Sequence, residues 1–163
     1  MTQESLIIKI ALNAWEQNIS RTDKLITSLS DEQLMREISP GRNRGIYLLG
    51  HLVAVHDASL QVLGIGERKY AHLDKAFIQE PDKSGLELPA LDELRSNWAE
   101  QIKSLNTYFN GLTVAEWFSK HTAISDEDFA REPHRNKLSV LLTRTNHLSY
   151  HFGQLALLKH KED

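Results

Sequence analysis

Residues 145–155 read TNHLSYHFGQL and place His147 and His151 four positions apart within an apolar pattern of helical period. Because residues four apart lie on one face of an α-helix, both imidazoles are predicted to project from the same side. Two rings in this arrangement can share one metal ion. The chain contains eight histidines, so chance pairs of this spacing are common, and the rest of the sequence has to support a site.

Four long segments share the amphipathic helical period of this stretch. The predicted helices cover about residues 4–29, 43–63, 90–110 and 136 to the C-terminus. The alternation typical of β-strands is missing, so the predicted fold class is all-α, with the four helices forming a bundle. A long connection, residues 65–89, would allow the second and third helices to run parallel. No change in composition marks a boundary, and one domain over residues 1–163 is expected.

The composition is that of an ordinary globular protein, with 40% hydrophobic residues, 25% charged residues and a formal net charge of −3. This balance offers no broad positive surface for nucleic acid or an anionic membrane. The sequence shows neither a signal pattern nor an apolar run of about 18 residues, so a cytoplasmic location is expected. It contains no cysteine, which excludes thiolate ligands. Nitrogen and oxygen atoms must therefore hold any metal.

A third histidine would turn the pair into a site, and His51 is the best-placed candidate. It lies on the apolar stripe of the second predicted helix, beside Leu48 and Leu52. Three imidazoles leave at least one coordination position open, which is typical of catalytic rather than structural metal centres. Imidazole suits zinc, nickel, iron and copper, and zinc or nickel is our first choice.

The sequence lacks the carboxylates that other helical metal centres need. Residues 137–161 contain no Asp or Glu, and the second predicted helix contains only Asp57. A di-iron centre built on four glutamates is therefore disfavoured, and the His-Glu-x-x-His motif of zinc proteases is missing. Hydrolysis at this site would depend on a water activated by the metal, and direct coordination of the substrate is an equal alternative.

The chain resembles the DinB-like (DNA-damage-inducible) superfamily, which includes the YfiT-type metal-dependent hydrolases. The likeness rests on Gly50-His51-Leu52 with His56 following, and on the run from His147 to Gln154. The pattern of that superfamily, one histidine from the second helix and an H-x-x-x-H pair from the fourth, falls on His51, His147 and His151. The resemblance implies an up-down-down-up bundle with its long crossover between helices two and three, and a homodimer.

Members of that superfamily include bacillithiol S-transferases and a mycothiol-dependent maleylpyruvate isomerase. The resemblance therefore implies a metal-dependent hydrolase or a thiol S-transferase that acts on a small molecule, with a low-molecular-weight thiol as co-substrate in the second case. Two alternatives stay open at this point. The protein could be a non-catalytic, metal-stabilised stress-response or small-molecule-binding protein, or its histidines could line a pocket without metal.

Three further residues are candidates for the wall of the site. Arg144 lies three positions before the histidine pair and could bind an anionic group, with a structural ion pair as an equal alternative. Gln154 lies three positions after the pair and could reach the pocket or bond a neighbouring helix. His56 lies about 140° round the helix from His51, which favours a place in the pocket wall or behind a ligand over coordination.

Structural roles are expected for the remaining polar and small residues near the site. Asp57 is predicted to be an exposed carboxylate, with the orientation of an imidazole as the alternative. Gly153 is predicted to permit the close approach of a neighbouring helix. Trp15 and Trp98 are predicted core residues on their spacing. The other four histidines are predicted at the surface: His72, His121, His134 and His160.

Overall fold

The structure is a computed structural model that describes residues 2–159. Four long helices account for most of this range: α1 (Gln3–Ser28), α3 (Gly45–Leu63), α4 (Leu91–Gly111) and α7 (Lys137–Ala156). Three short helices connect them: α2 (Asp31–Met35), α5 (Val114–Trp117) and α6 (Asp126–Arg131). Between residues 2 and 159 there is no β-strand, only two isolated bridges. The all-α prediction is confirmed.

The four predicted helices agree with the long helices to within two residues at each described end. Helix α7 ends at Ala156 in a 3₁₀ turn, Leu157–Lys159, and the predicted continuation to the C-terminus, including His160, lies outside the described residues. Asn136 caps α7, since its side chain accepts from the Ser139 N–H. Asn43 has a side chain suited to capping, but the cap position of α3 is Arg44, which makes no side-chain cap hydrogen bond.

Helix α1 packs against both α4 and α7. The Trp15 indole donates to Asn106 Oδ1 at 3.3 Å, and the Trp98 indole donates to Asp23 Oδ1 at 3.1 Å. These contacts occur in opposite order along the two helices, so α1 and α4 are antiparallel. Trp15 and Trp98 are each 1% exposed, which confirms their predicted place in the core. Buried aromatic rings of this size are among the largest sources of core stabilisation.

The other helices have equally definite directions. Arg21 donates to Ser149 Oγ at 2.6 Å, and Gln33, just beyond α1, donates to the Leu158 carbonyl at 3.2 Å, so α1 and α7 run parallel. Gly45 starts α3 against the backbone of Leu34, near the C-terminal end of α1. Helix α3 therefore runs back along α1.

The C-terminal ends of α3 and α4 lie side by side, around one cavity. Gly64 and Ile65 follow α3 and line this cavity together with Tyr108 and Gly111 from the last turn of α4. Because α3 and α4 both finish there and pack against each other, they run in the same direction. The long connection between the two helices permits this arrangement, since it carries the chain back to the other end.

The connection between α3 and α4 packs on α3 through a π-helical turn, Lys75–Gln79. Phe77 in this turn is fully buried against Gly50 of α3. A Cβ on Gly50 would lie 2.3 Å from the Phe77 ring, so only glycine permits this approach. The predicted close approach at Gly153 is wrong, because Gly153 is exposed and a Cβ there would meet nothing within 4 Å.

Helix α3 is the central helix of the core. Although His51, His56 and Asp57 interrupt its apolar run, α3 is long and apolar enough on average to cross a membrane, but 72% of its most apolar stretch is buried inside the protein. Buried core helices of globular proteins also have this length and apolar composition, so these two properties are weak evidence for a membrane span. The apolar character of α3 is accounted for by its packing against α2, α4 and α7.

Candidate metal centre

Three histidines meet where α3 faces α7. His51 extends from α3, while His147 and His151 extend from successive turns of α7. The Nε2 atom of His147 lies 3.2 Å from that of His51 and 3.0 Å from that of His151. Among residues 2–159, this is the one group of three or more His, Asp or Glu side chains whose ligand atoms lie within 4.8 Å of one another.

The spacing of the Nε2 atoms fits a metal ion. Zinc–nitrogen bonds of about 2.0–2.1 Å at tetrahedral angles place neighbouring nitrogens about 3.4 Å apart. The observed separations of 3.0 and 3.2 Å are close to this value. Three converging lone pairs repel one another unless a cation or a shared proton lies between them. The donor set therefore fits a divalent ion held by three imidazoles.

Two of the three rings are oriented by hydrogen bonds from their outer nitrogens. His51 donates through Nδ1–H to the Phe77 carbonyl at 2.7 Å, and His151 donates through Nδ1–H to Gln154 Oε1 at 2.7 Å. Both bonds select the tautomer that turns the Nε2 lone pair toward the centre, an arrangement common among metal-binding histidines. The Nδ1 of His147 is buried without a partner among the described residues.

His51 is held by Tyr47 of its own helix α3 and by Phe77 of the connection between α3 and α4. The Tyr47 ring stacks on the His51 ring at 6.3 Å with an interplanar angle of 12°, and the Tyr47 hydroxyl donates to the Glu80 carbonyl at 2.9 Å. Phe77 supplies the carbonyl that binds Nδ1 and rests on the bare backbone of Gly50. The orientation of His51 therefore depends on how this connection packs.

Burial keeps the three imidazoles neutral. Burial, together with the neighbouring histidines, lowers the pKa of both His147 and His151 to about 4. The pKa of His51 is also lowered by burial, against an opposing effect of its bond to the Phe77 carbonyl. At neutral pH all three rings are in the form that binds a metal ion.

Arg144 and Gln154 both lie close to the site. Gln154 reaches His151, as its spacing suggested, and its amide also donates to the Tyr150 hydroxyl at 3.3 Å. Arg144 is half-buried, and its Nε is buried without a hydrogen-bond partner. The alternative of a structural ion pair is not realised, since no carboxylate within residues 2–159 pairs with Arg144. Its charge helps to lower the pKa of His51 and His147.

His56 lies in the core rather than among the ligands. Its ring makes edge contacts with Trp15 at 5.3 Å and packs against Trp98 at 5.8 Å. The ring is fully buried, and neither nitrogen has a partner in the described part of the chain. Burial lowers the pKa of His56 to about 3. The helical angle between His56 and His51 thus separates the two rings, and His56 packs on two core indoles rather than in the expected pocket wall.

Asp57 is buried, so its predicted exposure is wrong. Its carboxylate accepts from Arg68 Nε at 3.0 Å and from the N–H groups of Lys69 and Tyr70 at 2.8 and 3.1 Å. The alternative, orientation of an imidazole, is not found either. Asp57 instead fixes the start of the connection to α3. A carboxylate on an apolar helix face needs a buried partner, and this requirement is the signal that could have identified Arg68.

The remaining histidines lie away from the centre. His72 and His134 are exposed and His121 is half-buried, while His160 lies outside the described residues. Sequence reasoning missed the Phe77 carbonyl, because a backbone group has no side-chain signature. It also missed Tyr47, whose stacking on His51 has a signal in the four-residue spacing between them.

A cluster of three neutral histidines on two long helices defines the class of this protein as an all-α protein with a site suited to a divalent metal. The profile of the DinB superfamily matches residues 14–155, a range that includes all three histidines. The chain belongs to the DinB superfamily, which confirms the resemblance noted from the sequence. No curated protein sequence matches the chain.

Proposed function

We propose that this protein is a metal-dependent enzyme in which His51, His147 and His151 bind one divalent cation, with zinc or nickel as the first choice. The observation that carries the proposal is the convergence of three Nε2 atoms, with separations of 3.0 and 3.2 Å, in rings that burial keeps neutral. No fourth His, Asp or Glu within residues 2–159 joins the group. Coordination positions are therefore left for water, a thiol or the substrate.

The proposed reaction is hydrolysis, or transfer of a low-molecular-weight thiol to an electrophilic small molecule. A divalent ion held by these three imidazoles would supply Lewis acidity, which would make a water or a thiol a stronger nucleophile. The three neutral ligands add no negative charge, so the protein leaves the charge of the cation undiminished. Phe77 and Gln154 orient two of the rings, so these two ligands would hold the ion without rearrangement.

Turnover by reconstituted protein tests this proposal. Metal-free protein is loaded with zinc or nickel and incubated with electrophilic esters and chloroarenes, with and without cysteine or glutathione as the thiol. Thiol-dependent turnover that is lost in His147→Ala supports the S-transferase, and metal-dependent turnover without thiol supports the hydrolase. If neither reaction depends on the metal, the non-catalytic metal-stabilised binding protein replaces the enzyme.

We further propose that the four long helices form the up-down-down-up bundle of the superfamily within a single domain over residues 1–163. The antiparallel contact of α1 with α4 and the parallel contact of α1 with α7 support this arrangement. The shared end of α3 and α4 supports it as well. The long crossover then lies between α3 and α4, on the side where it contacts His51.

We also propose a homodimer formed through α1 and α7. Three apolar side chains near the start of α1 are strongly exposed, Leu6 at 49%, Ile7 at 51% and Ile10 at 61%, and Leu142 on the adjacent α7 is 45% exposed. Exposed apolar side chains gathered in one region are typical of protein interfaces. Light scattering of wild type and Ile10→Glu tests this, with a monomeric variant as the expected result and a monomeric wild type as the contrary one.

We propose that the protein acts in the cytoplasm on a small molecule, without a nucleic-acid or membrane partner. The net charge of −3 and the burial of α3 in the core support this proposal. Fractionation of cells that produce the chain checks it. Recovery in the membrane fraction would contradict it.

A further inference from the structure

A cavity lies between α3 and α7, and two of its lining residues are within four positions of His51 or His147 in the sequence. It has a volume of about 210 Å³ and is lined by Val55, Ala58, Ser59, Val62, Ile78 and Arg144. Val55 follows His51 by four residues on α3, so one cavity wall continues the helix face that carries His51. Arg144 precedes His147 by three residues, about 4.5 Å along the axis of α7. The cavity therefore begins within one helical turn of the metal centre.

Arg144 is a cation without a protein counter-ion at this cavity, among the described residues. Every other half-buried arginine between residues 2 and 159 pairs with a carboxylate: Arg36, Arg44, Arg68, Arg95 and Arg135. The Arg144 guanidinium has no such partner, and its Nε is buried without any acceptor. Burial of the guanidinium disfavours its charged form and so lowers the pKa of Arg144. A half-buried guanidinium without an anion is costly, and an anion from solution would offset that cost.

The rest of the cavity wall is mainly apolar. Val55, Ala58, Val62 and Ile78 present only hydrocarbon, and the Ser59 hydroxyl donates to the Val55 carbonyl at 2.9 Å. Arg144 is therefore the one charged group of the lining. At about 30 Å³ per water-sized group, the cavity holds about seven such groups. A ligand that matches this lining has a short apolar body and a single anionic end.

We propose that this cavity binds a carboxylate of a small organic substrate, with Arg144 as the counter-ion and the apolar body against α3. The inference rests on the proposed function, because it directs the substrate toward the centre formed by the three histidines. Arg144 presents two parallel N–H donors that match the two oxygens of a carboxylate. Ile78 belongs to the π-helical turn that also provides the Phe77 carbonyl to His51, so one turn contacts both the cavity and the metal centre.

The test measures binding of butyrate to metal-free protein by two-dimensional NMR titration, so it does not depend on turnover. We expect saturable shifts at Val55, Ala58 and Val62. Affinity is expected to rise about three- to fourfold for each methylene from acetate to butyrate, as apolar burial requires. Arg144→Gln is expected to weaken butyrate binding at least tenfold, and Arg144→Lys is expected to retain part of it.

Two controls separate this site from the metal centre. Arg131→Gln alters an exposed arginine on α6 and is expected to bind butyrate as the wild type does. His147→Ala is expected to keep butyrate binding while losing metal, so a failed enzyme proposal and a failed cavity proposal give different results. Equal butyrate affinity in wild type and folded Arg144→Gln would overturn the inference. Phosphate binding that depends on Arg144, with no effect of chain length among carboxylates, would overturn it too.

Discussion

Gly50→Ala adds one methyl group on α3, one residue before His51, and is expected to disturb both packing and metal binding. The added Cβ would lie 2.3 Å from Cε1 and Cζ of Phe77 and 2.6 Å from Cδ1. Ordinary contact begins near 3.4 Å, so the ring has to shift by about 1 Å. Phe77 is fully buried, and its carbonyl accepts the His51 Nδ1–H, so a shift of this residue moves the acceptor away from His51.

Two effects of this substitution have estimable sizes. Overpacking of a filled core costs about 1–3 kcal/mol, and the better helix propensity of alanine returns up to about 1 kcal/mol, so a net loss of about 1–2 kcal/mol is expected. Loss of an outer hydrogen bond to a ligating histidine weakens metal binding about 10- to 100-fold. Because the bond joins Phe77 to His51 directly, we expect the affinity change in Gly50→Ala to fall within that range.

Urea denaturation of metal-free protein and zinc competition with a chromogenic chelator measure the two effects separately. Gly153→Ala is the matched control, because Gly153 is an exposed helical glycine with nothing within 4 Å of an added Cβ. The control is expected to be as stable as wild type, or more stable by up to about 1 kcal/mol, with the same zinc affinity. Wild-type zinc affinity in Gly50→Ala would refute the idea that Phe77 orients His51.

Three further substitutions have definite expected outcomes. Gln154→Leu removes the acceptor of the His151 Nδ1–H and should weaken zinc binding about 10- to 100-fold in the chelator assay; an unchanged affinity would show that Gln154 does not orient the ring. Asp57→Ala leaves Arg68 without one of its two carboxylates and leaves two N–H groups without an acceptor. Urea denaturation should therefore show a free energy of unfolding lower by about 3–5 kcal/mol, and a decrease under about 1 kcal/mol would refute the anchoring role of Asp57. His56→Leu removes two unpaired buried nitrogens, so its free energy of unfolding at pH 7 should equal or exceed that of wild type. The decrease of this free energy in acid should be smaller than in wild type.

The acid prediction for His56 has a definite sign. Burial lowers the pKa of His56 from 6.5 to about 3, so between these values the unfolded chain binds a proton that the folded protein does not. Well above pH 6.5 both states hold His56 neutral, so the free energy of unfolding loses nothing to its protonation. As the pH falls from 6.5 toward 3, protonation of His56 in the unfolded chain progressively lowers this free energy. Between pH 7 and pH 5 this loss is about 2 kcal/mol. Equal acid sensitivity of metal-free wild type and His56→Leu would contradict the assignment.

The long helices and the convergence of the histidines could be predicted from the sequence for a physical reason. Burying one helix face imposes a period of 3.6 residues on the apolar positions, and that period is local information. The same period places His147 and His151 on one face. The apolar helix face of His51 and the resemblance to the DinB superfamily identify it as the third histidine of the cluster. In the structure its Nε2 lies 3.2 Å from that of His147.

The predictions for Gly153 and Asp57 are wrong because they depend on contacts between residues distant in the sequence. The roles of Gly50 and Gly153 depend on what faces each glycine, and Phe77 lies 27 residues after Gly50. The burial of Asp57 depends on Arg68, which belongs to an irregular segment without a period. A periodic pattern shows which face of a helix is buried. It does not show which loop residue will cover a polar group on that face.

Metal content of protein purified without an affinity tag tests the central claim most directly. Plasma mass spectrometry of wild type and His147→Ala gives the number of divalent ions per chain, and His72→Ala serves as the control because His72 is exposed on the connection between α3 and α4. We predict about one ion per chain in wild type and in His72→Ala, and less than about a tenth of that in His147→Ala. Equal metal content in wild type and folded His147→Ala would contradict the account.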